Sequence, residues 1–296
     1  MNAPLLSVIL VYYDDRMNLT PCLDSVLATP PDIPLEVILV DNASTDGGIE
    51  DVATAFPSVR ILRNAGNLGF GAANNRAVRE SSGEFLLFLN TDTILQPGAV
   101  SALLAAVRPD AGAVAAGPLL FPSEGKVQVS FGSRVDFLGQ LVQKTIWNPF
   151  YKRRLRRHPA AREAGWLSAA CFLCRRSAFE ATGGFDEGFF LYFEDIDLCV
   201  RMRSAGGRLL FVPAARVFHE GSATTGIRPA ASRFEYRKSQ WAFYRKHASR
   251  GSLRLLRAYL RGNLGFQKLI GRFRGEEGRS RWTAYRELLK SGKGNR

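Results

Sequence analysis

The sequence predicts an α/β fold, a sheet wound with helices, followed by a basic helical C-terminal appendage. Short β-branched runs alternate with helix-like stretches over the first hundred residues, the signature of strands joined by crossover helices. Each clear run ends in polar side chains, Asp14-Asp15, Asp41-Asn42 and Asn90-Thr91-Asp92, at the strand ends where open α/β sheets bind ligands. From Arg233 onward the pattern turns helical and strongly basic.

Strands are expected at 6–12 (LSVILVY), 35–40 (LEVILV) and 84–89 (EFLLFL), with a weaker one at 59–62. Between them, residues 18–29 place Leu19, Leu23, Val26 and Leu27 on one helical face, and residues 71–81 form a helix opening after glycines. A second part begins near Ala113, crosses a polar segment to Trp166, and returns to strand-like residues at 167–174. Within it, residues 152–157 (KRRLRR) read as an exposed loop or short helix. In the tail, Leu253, Leu256, Tyr259, Leu260 and Leu264 share a face beside Arg254, Arg257 and Arg261. The expected division is a domain of residues 1–225, in two halves 1–112 and 113–225 that the resemblance described below implies to be nucleotide-binding and acceptor-binding, and a basic helical segment 226–296.

The chain has 296 residues, is 46% hydrophobic and carries a net charge of +13, which suits one large core and an acidic partner such as nucleic acid, anionic membrane or a phosphorylated substrate. The charge is uneven: residues 226–296 hold 19 Lys and Arg against 4 Asp and Glu, leaving 21 against 23 in residues 1–225. The first apolar run lacks a basic flank and ends at Asp14, so no signal peptide is expected. No apolar run is long enough to span a bilayer, and four cysteines in 296 residues fit a reduced, cytoplasmic setting. Cys171-x-x-Cys174 has no second pair and sits in an apolar stretch, so both are expected as buried structural thiols.

Four segments carry chemistry. In VDNASTDG (40–47) a carboxylate at Asp41 can accept from the imide N–H of uracil or thymine, while Ser44, Thr45 and Asp46 form the turn. In NLGFGAANN (67–75) the glycines let backbone approach a ligand ahead of a helix N-terminus; the match to a dinucleotide fingerprint fails at Asn74. LNTDT (89–93) follows an apolar strand and offers Asp92 to a hard cation. Magnesium or manganese on a diphosphate needs only one or two protein ligands, and His219, after another apolar run, is a second candidate. In the fourth segment, around FFLYFEDIDLCVR (189–201), three acids in four positions would be costly to bury without a task. Glu194 or Asp195 could act as general base, with Asp197 pairing with Arg201 or Arg203. Neither a G-x-S-x-G elbow nor a Walker loop is present.

Taken in order, SVILVYY (7–13), VDNASTDG, NLGFGAANN, LNTDT, GGFDEGFFLYFEDIDLCVR (183–201) and VFHEGSAT (217–224) resemble the family 2 glycosyltransferases over about residues 5–225. The resemblance implies a GT-A fold, a Rossmann-like mixed sheet flanked by helices. It implies nucleotide-sugar binding by Val11, Tyr13, Asp41, Asn67, Gly69, Asn90, Thr91, Asp92 and Glu194, a divalent metal (Mg2+ or Mn2+) held by Asp92 and His219, and Asp195 as catalytic base. Asn90 stands where the family usually has an aspartate, and Thr93 where it often has another acid. The Asn form is similar to the rhamnosyltransferase branch that uses dTDP-L-rhamnose, with UDP-sugar transfer (galactofuranosyl or glucosyl) as the alternative.

The implied reaction is an inverting single displacement onto a glycan or polyprenyl-diphosphate-linked acceptor, in cell-envelope polysaccharide synthesis. The basic tail and residues 152–157 are compatible with peripheral contact with an anionic membrane at the inner face of the plasma membrane; packing of the tail's apolar face on the body is the alternative. Two rivals remain: a non-catalytic nucleotide-sugar binder, and a nucleic-acid-binding protein suggested by Trp241, Phe243 and Tyr244 among basic residues. The second explains nothing in residues 1–225, so no nucleic-acid partner is expected.

Overall fold

The computed structural model describes residues 5–28, 33–122, 126–133, 160–221 and 229–269. The basic run 152–157 and the last 27 residues lie outside them. Within the described residues the elements are β1 (Leu6–Tyr12), α1 (Arg16–Ala28), β2 (Leu35–Asp41), α2 (Gly48–Ala55), β3 (Arg60–Arg63), α3 (Phe70–Arg79), β4 (Phe85–Asn90), β5 (Thr93–Leu95), α4 (Ala99–Val107) and β6 (Ala113–Phe121). There follow β7 (Phe131–Gly132), β8 (Arg162–Ala164), β9 (Trp166–Leu167), β10 (Cys171–Arg175), α5 (Arg176–Ala181), α6 (Glu194–Ser204), β11 (Arg208–His219), α7 (Pro229–His247) and α8 (Arg250–Leu269).

Nine strands form one mixed sheet in the order β3-β2-β1-β4-β10-β6-β11-β5, with β8 pairing on β11; β7 and β9 make a separate pair. Strands β1 to β4 run parallel, as a strand–helix alternation requires. The chain leaves β1 for β2 and β3 on one side and returns to β4 on the other. The ends of β1 and β4 therefore flank a topological switch point, where a crevice opens.

Strand β10 joins β4 antiparallel, and β5 joins β11 antiparallel, so the halves on either side of residue 112 share one sheet. The register Thr93 opposite His219 brings the turn after β4 against the end of β11.

Both faces of the sheet are covered, which is why β1 and β4 read as continuous apolar runs rather than alternating ones. Leu6, Val8, Leu10 and Tyr12 point to one core, shared with α1, α2 and α4; Ile9, Ile38 and Phe88 point to the other, shared with α3 and α6. A third cluster joins Phe189 and Phe193 to Trp241, Phe243, Tyr244, Leu256 and Leu260. All four cysteines are free and buried. Burial pushes their thiols up, Cys22 to about 12, which makes them inert structural groups.

The structure corrects two expectations. The stretch 167–174 is not one strand: β9 stops at Leu167 and β10 starts at Cys171. In the gap, Ser168 N–H donates to Ser130 O and Ala169 N–H to Asp195 Oδ2, so a carboxylate takes a donor that a neighbouring strand would otherwise use. Trp241, Phe243 and Tyr244 are at most 2% exposed. Packed on the 189–193 loop and α8, they offer no face for base stacking, which removes the aromatic argument for nucleic-acid binding.

Candidate functional site

Two cavities share a wall at the carboxyl ends of β1 and β4. The first, about 340 Å3, is lined by Val11, Tyr13, Asn67, Gly69, Asn90, Thr91, Asp92 and His219, together with Asp15, Asn42 and Gln128. The second, about 400 Å3, is lined by Glu194, Asp195, Trp166, Ser168, Ala169 and Tyr236. Phe70, Asn90, Leu191, Tyr192 and His219 line both. Ten of the eleven sequence-predicted site residues thus meet around one cleft. Asp41 lines neither cavity. It is 4% exposed, accepts from Ser44 N–H at 2.8 Å as an Asx turn does, and turns its other oxygen toward Arg63 at 4.0 Å.

The first cavity is built on backbone approach. Gly69 has φ +83, and a Cβ there would lie 2.3 Å from Phe190 O, so only glycine lets the 190 loop pass so close. Phe70 N–H donates to that same carbonyl at 3.0 Å. Asn67 Oδ1 accepts from Gly69 N–H at 2.9 Å, and Asn42 Nδ2 donates to Gly69 O at 3.2 Å, which fixes the turn opening α3.

Asp92 sits in the turn between β4 and β5, and its Oδ1 lies 3.3 Å from His219 Nε2. Asp92 Oδ2 accepts from Gly221 N–H at 3.2 Å. Burial pushes the Asp92 carboxyl up, but the His219 hydrogen bond and charge and the Gly221 N–H outweigh it and hold the group below its ordinary range. His219 Nδ1 meets Gln128 Oε1 at 2.9 Å. That oxygen only accepts, so Nδ1 donates to it and Nε2 is the ring nitrogen turned to the Asp92 carboxylate.

A carboxylate and a ring nitrogen at this distance share either a proton or a cation, and an Nδ1–H fixed by an outer hydrogen bond is the usual state of a metal-binding histidine. The pair fits a divalent ion whose other ligands come from a diphosphate and water. Asp15 adds negative charge nearby, accepting from Thr91 Oγ1 at 2.9 Å, and burial with the charges of Asp92 and Glu220 raises it. Among the described residues no three His, Cys, Asp or Glu converge on one point, and Asp92 and His219 are a pair that could hold such an ion.

The second cavity presents two acids from the first turn of α6. Asp195 accepts from Ala169 N–H at 3.1 Å and from its neighbour Ile196 N–H at 2.8 Å, and burial, opposed by those bonds, holds its carboxyl above the usual range. Glu194 is 5% exposed. Burial and then the Asp195 charge raise it well above an ordinary glutamate, and its Oε2 has no partner among the described residues. Trp166 Nε1 is likewise buried and unpartnered, and both residues belong to the cavity wall. Asp197, in contrast, is consumed by Arg201 at 2.7 Å, as its position in the helix suggests.

Tyr192 and Phe193, just before these acids, both have φ 69, a left-handed conformation that costs a non-glycine residue of order 1–3 kcal/mol. Sequence reasoning missed Gln128 and Tyr236. Gln128 lies in a polar stretch without a motif, and only the fold brings it under His219. Tyr236 could have been flagged by its place on a seven-residue apolar spacing with Phe243.

The glycosyl transferase family 2 model matches residues 7–183. An N-acetylglucosaminyl-diphospho-decaprenol L-rhamnosyltransferase of Mycobacterium tuberculosis is 35% identical over 283 residues, 88% of this chain and 91% of that protein. The rhamnosyltransferase WbbL of Escherichia coli K12 is 30% identical over 168 residues, 53% of this chain and 62% of that one. Among solved structures, the mannosyltransferase PcManGT from Pyrobaculum calidifontis, in complex with GDP-Man and Mn2+, superposes with TM-score 0.59 at 16% identity, covering 98% of this chain and 86% of that chain. That likeness carries the fold, a GT-A-like mixed sheet flanked by helices. With six motifs in order, the family match across more than half the chain and a relative aligned along nearly its whole length, this protein belongs to glycosyl transferase family 2 and is a glycosyltransferase.

Proposed function

We propose that this glycosyltransferase moves L-rhamnose from dTDP-L-rhamnose to a polyprenyl-diphosphate-linked sugar by an inverting single displacement, at the inner face of the plasma membrane. The observation that carries the reaction type is the pair of adjoining cavities, one with Asp92 beside His219 and the other with raised carboxylates, sharing Asn90 and His219 on their common wall. Donor and acceptor identity rest on the relative at 35% identity and on the Asn90 form of the motif.

In this reading the nucleotide diphosphate occupies the first cavity. Asp41 and the turn behind it define its base end, and Val11, Tyr13, Asn67, Gly69 and Thr91 line its path. Asp92 and His219 would hold Mg2+ or Mn2+, which supplies neutralisation of the charge developing on the departing diphosphate, usually the largest catalytic contribution. The acceptor enters the second cavity, where Asp195 takes the proton of the attacking hydroxyl. Glu194, kept protonated by burial, donates a hydrogen bond to the sugar at the junction. Ala169 N–H and Ile196 N–H orient Asp195 so that a lone pair faces the cavity.

A thermal-shift series with nucleotide diphosphates tests the donor. Ligand at a hundredfold excess over Kd stabilises by about 2.7 kcal/mol, so thymidine diphosphate with Mn2+ is expected to raise Tm more than uridine diphosphate with Mn2+, and more than thymidine diphosphate alone. Transfer from dTDP-L-rhamnose to N-acetylglucosaminyl-diphospho-decaprenol tests the reaction. Equal stabilisation by both nucleotides, or no effect of Mn2+, would count against the rhamnosyl donor or the Asp92/His219 pair respectively.

A further inference from the structure

The family match ends at Gly183, before the acids of the second cavity and before the C-terminal helices, yet one stripe of α7 holds the segment that carries those acids. Tyr236 packs its ring against Tyr192 and Phe193, at centroid distances of 5.6 and 5.2 Å. Ser239 Oγ donates to Leu191 O at 2.7 Å, and the Phe243 ring lies 5.4 Å from that of Phe193. Lys246 Nζ bridges Asp186 at 2.6 Å and Asp197 at 2.8 Å, and His247 Nε2 reaches Asp197 at 2.6 Å. These α7 positions advance by three or four residues, so they share one helix face.

The gripped residues bracket Glu194 and Asp195 on both sides. Tyr192 and Phe193 are the two left-handed residues, a conformation that persists only where surroundings over-determine it. Asp197 is fully buried and receives Arg201, Lys246 and His247 together. Tyr236 also lines the second cavity itself. No residue of the main sheet replaces these contacts at Leu191 or Tyr192 in the hydrogen bonds described.

We infer that α7 is a positioning element of the acceptor site: it holds residues 186–197 in the strained turn that aims Glu194 and Asp195 into the cavity, and it supplies Tyr236 as acceptor-facing wall. This rests on the second cavity being the acceptor pocket. Ser239 and His247 act through the segment they hold, and Tyr236 acts on the acceptor directly. The basic C-terminal segment is then part of the active site and not only a surface-seeking appendage.

The test uses the full chain with Ser239→Ala, His247→Ala and Tyr236→Ala. Amide hydrogen exchange is expected to speed up in residues 186–197 for Ser239→Ala and His247→Ala, with β1 and β4 unchanged. With dTDP-L-rhamnose and N-acetylglucosaminyl-diphospho-decaprenol, those two variants should lose about 10- to 100-fold in kcat through misplacement of the base, with a smaller loss of affinity for thymidine diphosphate with Mn2+, whose cavity shares Leu191 and Tyr192. Tyr236→Ala should instead raise the acceptor KM.

Unaltered exchange in 186–197 overturns the inference, whatever activity does. So does a loss of kcat that merely follows a lowered Tm and is restored at a lower assay temperature. Failure of the acceptor reading shows separately, as wild-type protein that binds the donor nucleotide but transfers nothing to this acceptor.

Discussion

Asp195 is held by two backbone N–H groups while burial raises its carboxyl, which suits the role of general base proposed for it. Asp195→Asn is expected to cost about 100- to 10,000-fold in kcat while leaving binding of thymidine diphosphate and Mn2+ intact, measured by calorimetry. The base works deprotonated, so kcat/KM falls as pH drops through its raised pKa, at a higher pH than an unperturbed aspartate near about 3.9 would give. Glu194 and Asp195 titrate as a pair. A pH–rate profile should therefore show an acid limb from the base and an alkaline limb at the pair's second ionisation, and Glu194→Gln should keep the first and lose the second. The stability sign is opposite: a carboxyl whose folded pKa is raised favours the folded state at low pH and loses that contribution as pH rises from the unfolded to the folded value. Glu194→Gln should accordingly raise Tm near pH 7. The acids themselves were legible because three in four positions sit inside an apolar run, whereas the Ala169 bond that aims one of them was not, because it spans 26 residues.

Among the elements, the turn into α3 is the most constrained. Gly69→Ala would place a Cβ 2.3 Å from Phe190 O at φ +83, an overpacking of about 1–3 kcal/mol or more. A lowered Tm and weaker nucleotide binding are expected. Gly66→Ala, three residues earlier, meets nothing within 4 Å and has no positive φ, and should be silent in both assays. The sequence placed a glycine-led helix here within a residue or two. The partner that makes Gly69 necessary lies about 120 residues away, and local pattern carries no trace of it. The same holds for β10, whose apolar residues continue the β9 pattern although, between the two, Ser168 N–H turns to Ser130 and Ala169 N–H to Asp195.

For the whole molecule, the tail's charge and its apolar stripe face different ways. Leu256 and Leu260 are buried against α7 and the 189–193 loop, so the apolar face expected at the tail packs on the body. The outward side of α8 keeps Arg250, Arg254 and Arg261 exposed with Leu255 at 46%, and the helix holds no acidic residue. No helix among the described residues is long and apolar enough to cross a membrane. On an anionic lipid surface each such arginine contributes about 1 kcal/mol. Flotation with phosphatidylserine-containing vesicles is expected to carry the wild-type chain upward, and the Arg250→Glu, Arg254→Glu, Arg261→Glu variant to stay below. Equal distribution of the two would remove α8 as the lipid-facing surface while leaving transfer chemistry untouched.

The sequence by itself determined the strand–helix alternation, the polar ends of β1, β2 and β4, and the identities of Asp92, Glu194 and Asp195. Each of these is written in nearest-neighbour chemistry, as periodicity, β-branching and acids amid apolar residues. Only the tertiary structure decided that His219 meets Asp92, that Gln128 meets His219, that Asp41 accepts from Ser44 N–H and faces Arg63, and that α7 contacts the acid-bearing loop. Those facts depend on which strands pair and in what register. A single antiparallel pairing, β5 on β11, brings together residues more than 120 positions apart, and nothing within one turn of either residue encodes it.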